Sequence, residues 1–313
     1  MAHPVLDLIA ARAAAGEGRG EDGKRLALVV EGGGMRGAIT GGMALELDRL
    51  GLTATFDDAY GSSAGALNAA WLLSGAAARG ISTWSDPALR TASMRRGNLL
   101  RGRPIVDSSY LTDVVYERLA PMPFDEILSG PVGFHPLATD AATGAATDLA
   151  PEIVDRTTLK MALRATTALP LLSGRPVELG GRLFFDAGLA EAIPYRTAIE
   201  QGATHLLVLR SRRLGEQESA NSSGRSARIV ARYLSRYGPG VAEAFLGRAE
   251  RLIADDLRLE QLEADPAAAP AVLSIRPPDG TPPIARLERD SAPVAAGIAA
   301  GERALREALD AGR

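Results

Sequence analysis

Cysteine is absent from the sequence and histidine occurs three times, at His3, His135 and His205. With no thiol there is no disulfide, no thiolate nucleophile and no cysteine-ligated zinc or iron–sulfur site. Three scattered histidines do not build a histidine-rich metal centre, and any imidazole base must be one of them. Lysine is nearly as scarce: Lys24 and Lys160 are the only two, so arginine supplies almost all of the 35 basic residues. Beside so much alanine and glycine, that excess is a bias of the whole chain rather than a local signal. The net charge of −3 leaves no global positive field for nucleic acid. Long apolar runs are missing too. The most apolar stretch, 64–78, contains Asn68 and Ser74 and falls short of the ~20 residues of a spanning helix. Asp7 and Arg12 interrupt the apolar start, so no secretory signal is expected and the cytoplasm is the default compartment.

What is present suits a globular protein. Of the 313 residues, 46% are hydrophobic and 23% charged, enough for a sizeable core and long enough for two domains or one large domain with an appendage. Residues 1–24 read as a short helix and a leader. The run Leu26–Val30 is continuously apolar, as expected of a parallel strand buried on both faces. A helical pattern follows to about Leu50. Phe56–Gly61 reads as a second strand and Ala64–Ala78 as a helix. Asp107–Leu119 and Thr157–Thr167 look helical. Val132–Thr139, Arg182–Phe185 and His205–Leu209 look like strands. This alternation predicts an α/β fold of three layers, α/β/α, around a mostly parallel sheet. Beyond a polar stretch at 215–226 come helices at about 227–237 and 241–263, a strand at 271–275 and a closing helix from Val294. The expected organisation is an α/β core at 25–212 and a helical C-terminal extension at 213–313 packed on it.

Two glycine motifs carry the chemistry. Gly32-x-Gly34-x-x-Gly37 follows the first strand, and Asp57 lies 20 residues beyond Gly37, which fits a dinucleotide fingerprint. Such a loop bares backbone N–H groups at a helix N-terminus, which suits a phosphate or a catalytic oxyanion equally well. Gly61-Ser62-Ser63-Ala64-Gly65 is G-x-S-x-G between a predicted strand and a predicted helix, the setting of a nucleophile elbow. Its small residues allow a sharp turn that lifts Ser63, leaving Ser62 to packing.

A serine nucleophile needs a base. His3 is near the terminus and His135 is in mid-strand. His205 would complete the order Ser63…Asp186…His205 of an α/β-hydrolase triad, but it begins its strand, whereas sites in parallel sheets gather at the carboxyl ends. Asp186 follows Leu183–Phe185 and precedes a turn, so it is the better candidate. As a base it requires desolvation and a direct hydrogen bond to Ser63.

Taken in order, Gly32-Gly33-Gly34-Met35-Arg36-Gly37, Gly61–Gly65 and Asp186-Ala187-Gly188 resemble the patatin-like phospholipases, whose pattern is G-G-G-x-[KR]-G, G-x-S-x-G and D-G-[AG]. Ala138-Thr139-Asp140 with Thr143-Gly144, Ala165–Pro170 and Ala192-Ile193-Pro194 are further echoes. The resemblance implies a Ser63–Asp186 dyad, an oxyanion hole at Gly33 and Gly34, loop support from Gly32, Arg36 and Gly37, and a lipid or other ester as substrate. It needs no cofactor or metal, and it allows peripheral membrane contact. Ala187 stands where the family usually has glycine, so a positive φ there would be strained. The arginines at 90, 95, 96, 101 and 103 read as a solvated face or a contact for anionic lipid. Two other classes fit parts of the sequence: a nicotinamide-binding oxidoreductase on the first glycine motif, and a non-catalytic lipid-binding protein on Ala187.

Overall fold

The computed structural model describes residues 3–16, 22–93, 105–216, 224–265 and 269–311. Among the described residues, eight strands make one sheet: β1 (Leu26–Val30), β2 (Asp58–Ser62), β3 (Gly133–Asp140), β4 (Ala146–Asp148), β5 (Val177–Leu179), β6 (Arg182–Phe185), β7 (His205–Leu209) and β8 (Ala271–Ile275). Their order is β5-β6-β3-β2-β1-β7-β8, with β4 also paired to β3. Strands β1, β2, β3, β7 and β8 are parallel. The short β4 and β6 run antiparallel to β3, and β5 antiparallel to β6.

The apolar run of β1 explains the layering. Because successive side chains point to opposite faces, Leu26, Leu28 and Val30 join Met43 and Leu47 of the helix Gly37–Arg49, and Val294 and Leu305 of the helix Ser291–Ala311. Ala27 and Val29 join Ile193, Ala198 and, from the helix Arg248–Glu263, Leu252 and Leu259. Each large aliphatic side chain buried this way contributes about 1.5–3 kcal/mol. The result is a three-layer α/β/α fold with a mostly parallel sheet.

Several expected boundaries shift for local reasons. The helix after Ser63 stops at Leu73, Gly75 turns with φ 64°, and a separate helix spans Ala77–Ser85. The expected helix at 241–263 is two, Pro239–Leu246 and Arg248–Glu263, broken at Gly247. The first helix, Pro4–Ala15, buries Val5, Leu8 and Ile9, and its Arg12 donates to Asp57 Oδ2 at 2.8 Å. The strands β4 and β5 had no apolar pattern of their own to mark them. Among the described residues, no helix is long and apolar enough to cross a membrane, and no cluster of acids and histidines is arranged to hold a metal.

Candidate active site

Ser63 sits between the end of β2 and the helix Ala64–Leu73, with φ 53° and ψ −123°. Ser63 and Leu171 are the two non-glycine residues with positive φ among those described. Such a conformation costs on the order of 1–3 kcal/mol and persists only where its surroundings impose it. Here the turn is pressed against β1: a Cβ on Gly65 would lie 2.2 Å from the carbonyl oxygen of Val30. Gly61 ends the pairing of β2 with β1, opposite Val30. Ala64 opens the helix and is buried. Ser62 points the other way and donates to the carbonyl of Glu191 at 2.7 Å, as a packing residue should.

Register delivers Asp186 to this turn. Ser62 pairs with Leu137 of β3, and Phe185 of the antiparallel β6 pairs with Thr139. The residue after β6 therefore comes alongside the end of β2. Ser63 Oγ donates to Asp186 Oδ2 at 2.7 Å, while Gly188 N–H donates to Oδ1 at 2.8 Å. The Asp186 backbone is pinned as well: its N–H donates to the Ala168 carbonyl at 2.9 Å and its carbonyl accepts from Thr139 Oγ1 at 2.8 Å. Burial pushes its pKa up, and the bonds from Ser63 and Gly188 with the charge of Arg286 oppose that rise. Ala187 has no positive φ, so the strain expected from the missing glycine is absent.

The first glycine motif faces the same turn. Gly32 N–H donates to the Ala192 carbonyl at 3.0 Å, and Met35 N–H to the Arg286 carbonyl at 3.0 Å. Between them, the N–H groups of Gly33 and Gly34 have no hydrogen-bond partner among the described residues. Gly34 is required to be glycine: its φ is 60°, and a Cβ would lie 2.5 Å from the Arg286 carbonyl oxygen. Arg36 is buried, with Nε 3.4 Å from the Gly33 carbonyl and a guanidinium nitrogen 4.0 Å from Glu216, and burial lowers its pKa. Gly37 begins the following helix, and its carbonyl accepts from Asn68 Nδ2 at 2.7 Å.

Beneath the loop is an ionic layer. Buried Glu31 accepts from Arg210 Nε at 2.9 Å, Ser211 N–H at 2.8 Å and Arg212 Nε at 2.7 Å. Ser211 Oγ then donates to the Gly32 carbonyl at 2.8 Å. Burial works against the Glu31 carboxylate, but the two guanidiniums outweigh it and keep its pKa low. The backbone of the loop is thereby held rigid.

Ser63 and Gly34 line a cleft with about 850 Å³ of empty space, part of it open to solvent. Its walls include Met35, Leu67, Trp84, Leu89, Leu111 and Val115, which suit an alkyl chain.

The sequence model of the family described as patatin-like phospholipase matches residues 28–199, more than half of the chain. The chain belongs to the patatin-like phospholipase family. It is also similar to the uncharacterized protein YjjU of Escherichia coli (strain K12), with 29% identity over 195 residues. That match covers 60% of this chain and 52% of the relative, so the chain spans about half the length of the relative it matches.

Within this patatin-like fold the histidines are placed away from Ser63. His205 pairs with Leu26 at the amino end of β1, the opposite end of the sheet from Ser63, and its Nδ1 is 2.9 Å from Thr204 Oγ1. The triad order in the sequence is thus not a triad in space. His3 Nδ1 accepts from Val5 N–H at 3.2 Å as a helix cap. His135 is stacked on Tyr60 and bonded to Asp148 and Asp58. Asp57, the candidate ribose acid, lies at that same far end, accepting from Leu26 N–H at 2.6 Å and from Arg12. A dinucleotide reading loses its acid. Arg90 turns inward, donating to the Trp84 carbonyl at 3.1 Å and to Ser291 Oγ at 2.5 Å. The arginines at 95, 96, 101 and 103 lie outside the described residues.

Sequence reasoning missed several residues. Thr166 Oγ1 accepts the Ser63 N–H at 2.9 Å, and Thr139 holds the Asp186 carbonyl. Both stand inside the family echoes, which was their only signal. Glu31, Ser211, Arg212 and Arg286 had none, because each meets the site from a distant segment.

Proposed function

We propose that this chain hydrolyses carboxylic esters of lipids, as a phospholipase A, lysophospholipase or esterase, through a Ser63–Asp186 dyad. The observation that carries the reading is the 2.7 Å bond from Ser63 Oγ to Asp186 Oδ2 at a strained turn facing an apolar cleft. Asp186 takes the hydroxyl proton as Oγ attacks the ester carbonyl carbon. The carbonyl oxygen becomes an oxyanion and accepts from the N–H groups of Gly33 and Gly34, aided by the positive N-terminal end of the Ala64–Leu73 helix. Collapse breaks the ester C–O bond, and the alcohol leaves with the proton from Asp186. Water, deprotonated by Asp186, then attacks the acyl-serine. The second intermediate releases the carboxylic acid and returns the proton to Ser63. Burial favours this chemistry by raising the proton affinity of Asp186 above that of a solvated carboxylate.

In the same reading, residues 25–212 are the catalytic unit and residues 213–313 an extension on it. Support comes from β8, which pairs with β7, and from the closing helix, which packs on Gly37–Arg49. The test is labelling by a fluorophosphonate probe together with hydrolysis of a short-chain nitrophenyl ester. The native chain should be labelled and active, and Ser63→Ala should lose both, the hydrolysis by roughly a thousandfold or more. Full labelling of Ser63→Ala would remove Ser63 as nucleophile.

A further inference from the structure

The helix Arg225–Leu234 buries one face and leaves the other bare. Ala227 and Leu234 are buried with Phe185, Val241 and Phe245, and Tyr233 and Tyr237 meet the Phe185 ring edge-on. The helix therefore packs on the strand that delivers Asp186. On the other side, Arg225, Arg228 and Arg232 lie three and four residues apart, which places them on one face, and Arg236 continues that face in the turn that ends the helix. All four are exposed, and none is within ion-pair distance of an acid among the described residues. Ile229, four residues from Arg225 and three from Arg232, stands among them and is 65% exposed.

A second outward apolar group belongs to the neighbouring turn. Leu171 has φ 64° and is 41% exposed. That backbone is costly for leucine and has to be imposed. Ser173 N–H donates to the Leu169 carbonyl at 2.9 Å, and Val106 N–H to the Leu172 carbonyl at 2.9 Å. Tyr233 Oη donates to the Gly174 carbonyl at 3.1 Å, which ties the turn to the helix edge that Ile229 shares one turn earlier. Arg175 is exposed in this segment, and its charge reaches the Tyr233 hydroxyl together with that of Arg236. The turn also leads back to the cleft, since Val106, Thr167 and Leu169 line it along with Ser63.

Guanidiniums grouped around outward aliphatic side chains match a surface that is anionic outside and apolar just beneath, as a bilayer with acidic lipids is. A nucleic acid offers phosphates but nothing for Ile229 and Leu171. With a net charge of −3 over the whole chain, the attraction belongs to this face and not to the molecule at large.

We propose that the arginine face of the helix Arg225–Leu234, with Ile229 and the Leu171 turn, docks the chain on anionic lipid bilayers and so brings the cleft beside them. The docking stands on this surface alone, and the use made of it rests on Ser63 being the nucleophile. The experiment is cosedimentation with vesicles of ether-linked lipids, which hold no acyl ester to cut, made of phosphatidylcholine alone or of equal parts phosphatidylcholine and phosphatidylglycerol. The native chain and Ser63→Ala should both bind the anionic vesicles about tenfold or more tightly than the neutral ones, and less so as salt rises. Arg228→Gln combined with Arg232→Gln should lower that binding about tenfold or more, and the two lysine substitutions should keep most of it. Leu171→Gly, in which glycine accepts the positive φ, should weaken binding several-fold even at high salt. The paired glutamine variant should hydrolyse a short-chain nitrophenyl ester in solution at the native rate and an ester carried in anionic vesicles more slowly. Unchanged vesicle binding in the paired glutamine variant, or equal native binding to neutral vesicles, overturns the proposal. Tighter binding of poly-glutamate or of DNA than of the anionic vesicles overturns it as well. Vesicle binding as expected with no Ser63-dependent hydrolysis of the soluble ester would show that the nucleophile assignment had failed while the docking surface stood.

Discussion

Both ends of the central sheet bury paired charges, as Glu31 with Arg210 and Arg212 does at the carboxyl end, but that end also buries Asp186, whose surroundings differ from those of any of these pairs. At the amino end His135, Arg25 and Arg12 each meet a counter-charge. His135 lies 2.7 Å from Asp148 and 3.1 Å from Asp58, Arg25 lies 2.6 Å from Asp58, and Arg12 lies 2.8 Å from Asp57. Burial alone would lower the His135 pKa, but the two carboxylates outweigh it and raise it to about 9. Burial would raise Asp58, but His135 and Arg25 hold it at about 2. At the carboxyl end Asp186 is buried against a hydroxyl and an N–H, and its pKa goes up. The contrast is between charges stabilised by counter-charges and a carboxylate whose proton affinity burial raises.

That contrast can be broken from either end. The largest effect is expected from Asp186→Asn, which should lower ester hydrolysis by roughly a thousandfold, close to the loss in Ser63→Ala. His205→Ala at the far end should stay within about twofold; a dead His205→Ala would restore the triad. Next comes Gly34→Ala. Its Cβ would push on the Arg286 carbonyl and turn an oxyanion donor, so kcat should fall about a hundredfold while the fold survives in circular dichroism. Little change would remove Gly34 from the oxyanion hole.

The pH dependence separates the two ends again. Because the Asp186 pKa is raised, kcat/KM should fall as pH drops through a value above that of an ordinary aspartate, and a limb at or below the ordinary value would contradict its role as base. For His135 the sign is reversed. A folded-state pKa of about 9, above the unfolded reference near 6.5, gives stability that is complete below that reference and lost as pH rises through about 9. The contribution is on the order of 2–3 kcal/mol. His135→Gln should lower Tm at neutral pH and flatten the fall in Tm between about pH 6.5 and 9.5, with labelling of Ser63 per folded molecule unchanged. An equally steep fall in the variant would assign the pH dependence elsewhere.

How much was legible follows from how local each signal is. The apolar run of β1, the elbow at Gly61–Gly65 and the glycine run at Gly32–Gly37 are short segments whose residue types dictate the turn, so their places read directly from the chain. The helix break at Gly75 and the short antiparallel strands β4 and β5 did not, because pairing with β3 and β6 rather than an intrinsic pattern creates those strands. The expected strain at Ala187 failed for a related reason: family habit says glycine, but the backbone there has no positive φ.

By itself, then, the sequence determined the turn at Ser63, the glycine loop that faces it and the fold class, since each rests on local backbone chemistry or on the alternation of apolar strands with helical patterns. The sequence also named Asp186 as the better candidate and set His205 aside, but only tertiary structure brings Asp186 to Ser63 and leaves His205 away from it. An antiparallel strand, placed by its register on β3, carries Asp186 to within 2.7 Å, while the parallel pairing of β1 and β7 strands His205 at the far end. The same holds for Glu31, Ser211 and Arg286. Contacts between segments so far apart in the chain arise from packing of the whole domain, and no window of sequence contains both partners.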